Sequence, residues 1–334
     1  MSMTSTIQHF VRRTDAAVAR AYLGVFRERN ALMGFLFHSL FHNEQEIDQN
    51  LVDPLQRTTV AQFRQFIEYY LDAGYQFVGP DELLNGIRAD KKYAVITFDD
   101  GYYNNVLARP ILEEYGVPAL FFISTNHVRQ NKCYWWDVLY RERTAQGVTH
   151  DGIKREANEF KKLRTEAIEA QLIALFGPDA LTPRGDVDRP FTPDELRDFA
   201  TSPFVHLGNH TANHAILTNY TPEELREQVR GAQAALQEMT GKVPVAIAYP
   251  NGANGKAIVS ACAELGLKIG FTVRPEKVHL PLDNGPGSLL RLGRFCPHGE
   301  DEMLRQCRTY RSDLQLYGKF RDGYIRFRRR EIAP

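Results

Sequence analysis

The chain has 334 residues, 43 % of them hydrophobic, with 41 Lys and Arg balanced by 41 Asp and Glu. That length can bury a large core in one elaborated domain or two smaller ones, and the charge balance gives no overall field that would draw a nucleic acid or an acidic partner. Four scattered cysteines, Cys133, Cys262, Cys296 and Cys307, include no Cys-x-x-Cys pair and read as reduced thiols of a cytosolic protein.

Residues 1 to about 32 read as an amphipathic helix, with Ile7, Phe10, Val11, Val18, Tyr22, Leu23 and Phe26 mostly on one side and arginines elsewhere. The expectation is a helical extension packed on the rest of the fold; the alternative is a helix that meets the cytoplasmic leaflet or a partner. Arg12, Arg13, Arg20, Arg27 and Arg29 interrupt the apolar stretch a secretory signal would need, so the expected location is the cytoplasm, with the inner face of the membrane as its more specific form. The uncharged run 30–43 is too short to span a bilayer. Its core, residues 34–41, is expected to be the first strand.

A β/α rhythm follows, the signature of a parallel sheet or barrel. A capping box at Thr59 and Gln62 opens a helix with the stripe Phe63, Phe66, Ile67, Tyr70 and Leu71, stopping near Gly74. A strand at 93–98, a helix through Leu112 to about Gly116 and a strand at 119–124 come next. Residues from about 130 to 202 break the rhythm: they are rich in charge, carry one expected helix over 154–176 and close with Pro183, Pro190 and Pro193. Regularity returns with a strand at 204–207. A helix then starts at Thr221-Pro-Glu-Glu224, faces inward through Leu225, Val229, Ala232, Leu236 and Met239, and ends at Gly241. Strands at 245–249 and 269–273 complete the pattern. The stretch 319–330 interleaves basic and aromatic residues, a solvated end or one that touches anionic headgroups.

The chemistry sits at strand ends, where loops carry function. The run 93–98 delivers Asp99 and Asp100 to a turn at Gly101. Adjacent strand residues point to different sides, so the two carboxylates cannot share a task; one suits a metal ion and the other a water beside it. Taken alone, Asp-Asp-Gly is also an ordinary turn. His210 and His214 follow another strand, and their spacing puts both imidazoles on one side of a helical turn. Two His and one Asp make an open three-ligand site that suits zinc and similar divalent metals.

The ordered motifs Thr97-Phe-Asp-Asp-Gly-Tyr102, His210-Thr-Ala-Asn-His214 and Tyr249-Pro-Asn-Gly252 resemble the polysaccharide deacetylases of carbohydrate esterase family 4, over about residues 33 to 295. The resemblance implies an α/β fold: a distorted parallel (β/α) barrel with a mainly helical insertion and a metal site at the C-terminal strand ends. The expected division is 1–32 helical extension, 33–300 barrel with the insertion at about 130–202, and 301–334 basic tail. In the family's pattern Asp99 is the catalytic base. Asp100, His210 and His214 hold one divalent ion, zinc first, with cobalt, nickel or manganese as alternatives. The Tyr102 backbone N–H is the oxyanion donor, and Tyr249, Pro250 and Asn251 form a wall of the substrate groove.

Two departures from the family pattern stand out. Many relatives carry an arginine just before the proline of the third motif to orient the catalytic Asp; Ile247 and Ala248 stand here, and Arg294 is the candidate replacement. A late histidine that serves as general acid has no clean match, which leaves His298, behind Cys296-Pro297, and His38 at the end of the first strand. Trp136, beside Trp135 in the insertion, is the candidate platform for a sugar face. The resulting expectation is a metal-dependent N-deacetylase acting on an N-acylated amino sugar, nucleotide-linked or lipid-linked, in surface polysaccharide or glycolipid assembly. The alternatives are a hydrolase of another amide such as a formamide, and a glycan-binding relative without catalysis.

Overall fold

The structure, a computed structural model, describes residues 14, 16–26, 28–53, 57–283, 285, 287–297 and 302–313. Its strands, in chain order, are β1 (Ala31–Phe37), β2 (Leu40–Phe41), β3 (Thr58–Thr59), β4 (Tyr75–Phe77), β5 (Lys92–Phe98), β6 (Ala119–Ile123), β7 (Val205–Asn209), β8 (Ala246–Ala248), β9 (Ile269–Phe271), β10 (Val278–His279) and β11 (Arg294–Phe295). The main sheet runs β10-β1-β5-β6-β7-β8-β9, with β4 on β5 and β11 on β1. Only β10 is antiparallel to its neighbour. Leu292 N–H donates to Gly270 O, and Leu292 O accepts from Thr272 N–H, both at 2.8 Å. The segment leading to β11 is thereby joined to β9, and β11 pairs with β1, so the sheet curls back on itself as a distorted parallel barrel.

Parallel strands covered on both faces read as continuous apolar runs, and β6 is buried at every residue. The period of two then divides its side chains. Ala119, Phe121 and Ile123 face the helical layer with Phe63, Phe66 and Phe199, while Leu120 and Phe122 fill the barrel with Val95 and Phe271. Helix Val60–Asp72 carries the expected Thr59/Gln62 capping box and buries Phe63, Phe66, Ile67 and Tyr70. Leu71, assigned to the same stripe on sequence, lies at its edge and is 37 % exposed. Helix Pro222–Thr240 begins and ends as its capping box and Gly241 indicate.

Four local differences from the sequence reading have physical causes. The first strand stops at Phe37 because the chain turns there: the His38 carbonyl accepts from Asn105 Nδ2, and Leu40–Phe41 pairs separately with Thr58–Thr59. Strand β4 and the helix Pro80–Asn85 lay in a stretch left unassigned. The single helix expected over 154–176 is two, His150–Phe160 and Thr165–Phe176, broken where Asn219 Nδ2 donates to the carbonyls of Lys161 and Leu163. At the C-terminal side, residues grouped with the tail form helix Met303–Arg311, which buries Met303 and Cys307 against the barrel.

Residues 16–25 are helical and are tied to the other end of the described chain by Tyr22 Oη to Asp313. Phe26 is 59 % exposed rather than packed. No helix among the described residues is long and apolar enough to cross a membrane. The 319–330 stretch lies outside the described residues.

Candidate functional site

Residues 93, 95 and 97 of β5 point into the barrel, and Asp99 continues that series, with its N–H bonded to Phe37 O at 2.9 Å. Asp100 leaves the strand in a left-handed conformation, φ 76°, which re-aims its carboxylate instead of sending it outward. That strain is held by bonds to its carbonyl from Ser124 N–H at 3.0 Å and Tyr134 Oη at 2.6 Å.

Beneath Asp99 lies Arg294, fully buried at the start of β11. Its Nη1 and Nη2 donate to the two carboxylate oxygens at 2.6 and 2.8 Å, and the remaining donors reach Thr97 Oγ1 and Thr272 O. Space for this side chain comes from Gly34: a Cβ there would sit 3.0 Å from Arg294 Cγ and 2.5 Å from Gly293 O. Burial works against an ionised Asp99, but Arg294 and His210 outweigh it and hold the pKa below its ordinary value. Asp99 is therefore a carboxylate at neutral pH.

His210 and His214 do not lie on a helical turn. The segment after β7 is irregular, and left-handed backbone at Thr211 (φ 62°) and His214 (φ 49°) brings the imidazoles together. Thr211 N–H to Asn209 Oδ1 at 2.8 Å and Ala215 N–H to Thr211 Oγ1 at 2.7 Å fix that shape. His210 Nδ1 lies 2.9 Å from Ala248 O and so carries the proton it donates, which leaves Nε2 as a lone pair. Asp100 Oδ1 stands 3.2 Å from His210 Nε2 and 3.4 Å from His214 Nε2.

These residues fit a metal ion. Asp100 Oδ1 is buried with no hydrogen-bond partner, an arrangement that is costly unless something fills it. The three ligand atoms lie within 4.8 Å of one another. Tetrahedral zinc with bonds of about 2.0–2.1 Å sets its ligand atoms about 3.3 Å apart, close to the two separations seen. Burial and His210 push His214 well below its ordinary pKa, so it is neutral. Burial opposes charge on His210 too, but Asp99 and Asp100 raise its pKa; the positive charge they draw there is what a divalent ion would supply.

The triad and Asp99 open into a cavity of about 450 Å³ whose far wall is the insertion. Trp135 and Trp136 both line it. Trp136 is half-buried, donates from Nε1 to Tyr102 Oη at 2.9 Å and packs on His214 with centroids 4.5 Å apart. Its polar edge is thus used internally, and one indole face holds a candidate ligand. The Tyr102 side chain is buried and gives its hydroxyl to Asp137 Oδ2 at 2.5 Å; the bridge bonds beside it are made by Tyr103 and Phe191 N–H groups. His38 reaches the site, with Nε2 3.9 Å from Asp100 Oδ2. Asn251 lines the cavity, but Tyr249 and Pro250 do not: Tyr249 is buried in another cluster and donates to Leu290 O at 3.0 Å. His298 lies outside the described residues.

A family model described as polysaccharide deacetylase matches residues 86–270, more than half of the chain. The chain belongs to the polysaccharide deacetylase family. The Bacillus subtilis (strain 168) protein YxkH, named for the same family, is 20 % identical over 224 residues, which are 66 % of this chain and 60 % of that protein. A chitooligosaccharide deacetylase of Azorhizobium caulinodans is 31 % identical over 109 residues, 29 % of this chain. The chain spans 60 % and 52 % of the length of these two relatives. Among solved structures, the Streptococcus pyogenes deacetylase PplD in complex with acetate superposes with a TM-score of 0.57 at 18 % identity, over 84 % of this chain and 99 % of that one. The curled barrel is thus the polysaccharide deacetylase fold.

Sequence reasoning missed several residues at this family site. Tyr134 supports Asp100 from the insertion, and only its place in the aromatic run 134–136 hinted at it. Lys154, Asn158 and Lys161 line the cavity at helical spacing, but on a helix whose bounds were misjudged. Asp137 is buried, accepting from Asp53 N–H and Tyr102 Oη. Burial pushes its pKa well above the ordinary value, with those hydrogen bonds acting the other way. A carboxyl whose pKa is higher folded than unfolded contributes stability below its unfolded value, about 3.9, that is lost as pH rises toward the folded value. Asp137→Asn keeps an acceptor for Asp53 N–H. It is expected to hold or raise Tm at neutral pH and to flatten the decline above about pH 4. Thermal melts across that range check it; an equal loss of Tm at every pH contradicts it.

Proposed function

We propose that this chain is a metal-dependent hydrolase that removes an N-acyl group, acetyl first, from an amino sugar carried on a nucleotide or a lipid for surface polysaccharide or glycolipid assembly. The observation that carries this reading is the juxtaposition of an ionised, arginine-bound carboxylate with an Asp–His–His group at the floor of one cavity. Asp100, His210 and His214 would hold one divalent ion, zinc by its ligand set. The chemistry such an ion supplies is polarisation of the amide carbonyl and acidification of nearby water.

Asp99 accepts a proton from the water whose oxygen attacks the carbonyl carbon. A carboxylate with a depressed pKa is a weak base, so it depends on that acidification, but it is fully ionised and oriented by two hydrogen bonds. The Tyr102 N–H would donate to the developing oxyanion. As the C–N bond breaks, the amine takes a proton and leaves as the free amino sugar, with acetate as the second product. His38 is the described histidine placed to supply that proton. Three of the four cysteines are buried as thiols, which supports a reducing compartment and hence the cytoplasm.

The test is product identification with purified, zinc-loaded protein and N-acetylated sugar nucleotides and glycolipids. Stoichiometric acetate and free amine support the reading. Formate released from a formamide analogue, with the acetamides untouched, replaces it with a deformylase.

A further inference from the structure

Apart from the proposed ligands and base, the cavity has a charged wall that the chemistry above does not use. Lys154, Ala157, Asn158 and Lys161 line it at spacings of three, four and seven residues, one face of helix His150–Phe160 and its C-terminal cap. Neither amine is in an ion pair or a hydrogen bond among the described residues. Several basic neighbours in the same insertion are paired: Lys132 with Glu169, Arg143 with Glu156, Lys162 with Glu159 and Arg164 with Glu224.

Two of the three acidic groups facing the cavity, Asp99 and Asp100, are held within the site. Asp99 is held by Arg294, and Asp100 faces the two histidines. Asp53 is 3.6 Å from His150 Nε2 and acts on Lys161 only at longer range. Both lysines are exposed at the rim of the cavity, and partial burial lowers the Lys161 pKa. Once an ion is bound, the cavity carries a surplus of positive charge concentrated on these two lysines.

We infer that Lys154 and Lys161 form the phosphate-reading rim of this cavity, so that the amino sugar enters as a phosphate or diphosphate derivative; the inference rests on the deacetylase reading above. Seven residues of helix set the two Cα atoms about 10 Å apart along the axis, and the long flexible side chains let both amines converge on one group from two sides. Two ammonium groups suit the multiple charge of a diphosphate better than a single carboxylate. Nucleotide-linked and lipid-linked sugars share this chemistry, and Asn158 between the lysines adds an amide donor. The apolar wall of Leu36, Phe41, Val52, Ile216 and Val273 is left for the sugar face and acyl group.

The experiment compares the full zinc-loaded chain with Lys154→Ala/Lys161→Ala. Substrates are N-acetylglucosamine, its 1-phosphate, its uridine diphosphate conjugate and its polyprenyl diphosphate conjugate. Wild type is expected to favour the phosphorylated forms by at least about tenfold in kcat/KM, through KM, with the preference shrinking as salt rises. In the double variant that ratio is expected to fall to about one, and Lys154→Arg/Lys161→Arg to restore most of it. The faster conjugate identifies the carrier. A ratio of one in wild type, or a ratio unchanged in the variant, overturns the inference.

Should no sugar be hydrolysed, the deacetylase reading fails for that sugar, and the rim is decided by binding. Inorganic diphosphate is titrated calorimetrically into metal-free protein. Binding at least about tenfold weaker in the double variant than in wild type supports the rim; equal binding, or none to either, overturns it.

Discussion

Asp99→Asn is expected to lower kcat by about 10²–10⁴-fold while leaving bound metal and fold unchanged, because a positioned base contributes that much and Asp99 is not among the metal-facing atoms. The substitution is nearly isosteric. Its amide oxygen can still accept from one Arg294 donor, but the other position becomes NH₂ and faces a guanidinium that cannot accept. A loss of buried charge compensation is therefore expected as well, visible as a modest drop in Tm. The measurement is kcat alongside metal content and a thermal melt for the two proteins. Turnover equal to wild type toward every amide substrate removes Asp99 from the chemistry and favours a glycan-binding role.

Arg294→Ala has the largest expected effect on stability. It removes every cationic donor from a fully buried carboxylate, and breaking one side of a buried pair costs about 3–5 kcal/mol. That is a large fraction of the total stability of a folded domain, about 5–15 kcal/mol. Arg294→Lys restores the charge but not the two parallel hydrogen bonds, and a point charge cannot hold Asp99 in a single orientation. The expected order of stability is wild type, Lys, then Ala, with activity already strongly reduced in the Lys protein. Chemical denaturation and initial rates for the three proteins check this. An Arg294→Ala protein as stable as wild type contradicts the role of the pair in the barrel interior.

The two adjacent carboxylates, the histidine pair and even the remote arginine were legible in the sequence because each sits at or beside a strand, where a period of two and a turn residue fix direction. Arg294 illustrates the point: no local motif marks it, yet its place on the last strand puts it inside the barrel below Asp99. What the sequence hid depended on irregular backbone. The histidine spacing suggested a helical turn, whereas left-handed residues at Thr211 and His214 produce the convergence. Tyr249 belongs to a shared motif but turns away from the cavity, because its hydroxyl is bonded to Leu290 O in a separate cluster. The insertion was the least legible region. Helix His150–Phe160 is ended at tertiary bonds from Asn219 rather than at a glycine or proline, so the face bearing Lys154 and Lys161 could not be registered against the cavity.

The measurement that tests the account most directly is the metal content of purified protein beside a His210→Ala/His214→Ala protein. The account predicts close to one divalent ion per chain in the wild type and none in the double variant, with both proteins folded. An absence of bound metal in wild type, with none taken up from added zinc or cobalt, would contradict it, since the partnerless Asp100 Oδ1 and the paired imidazoles would then serve no ion.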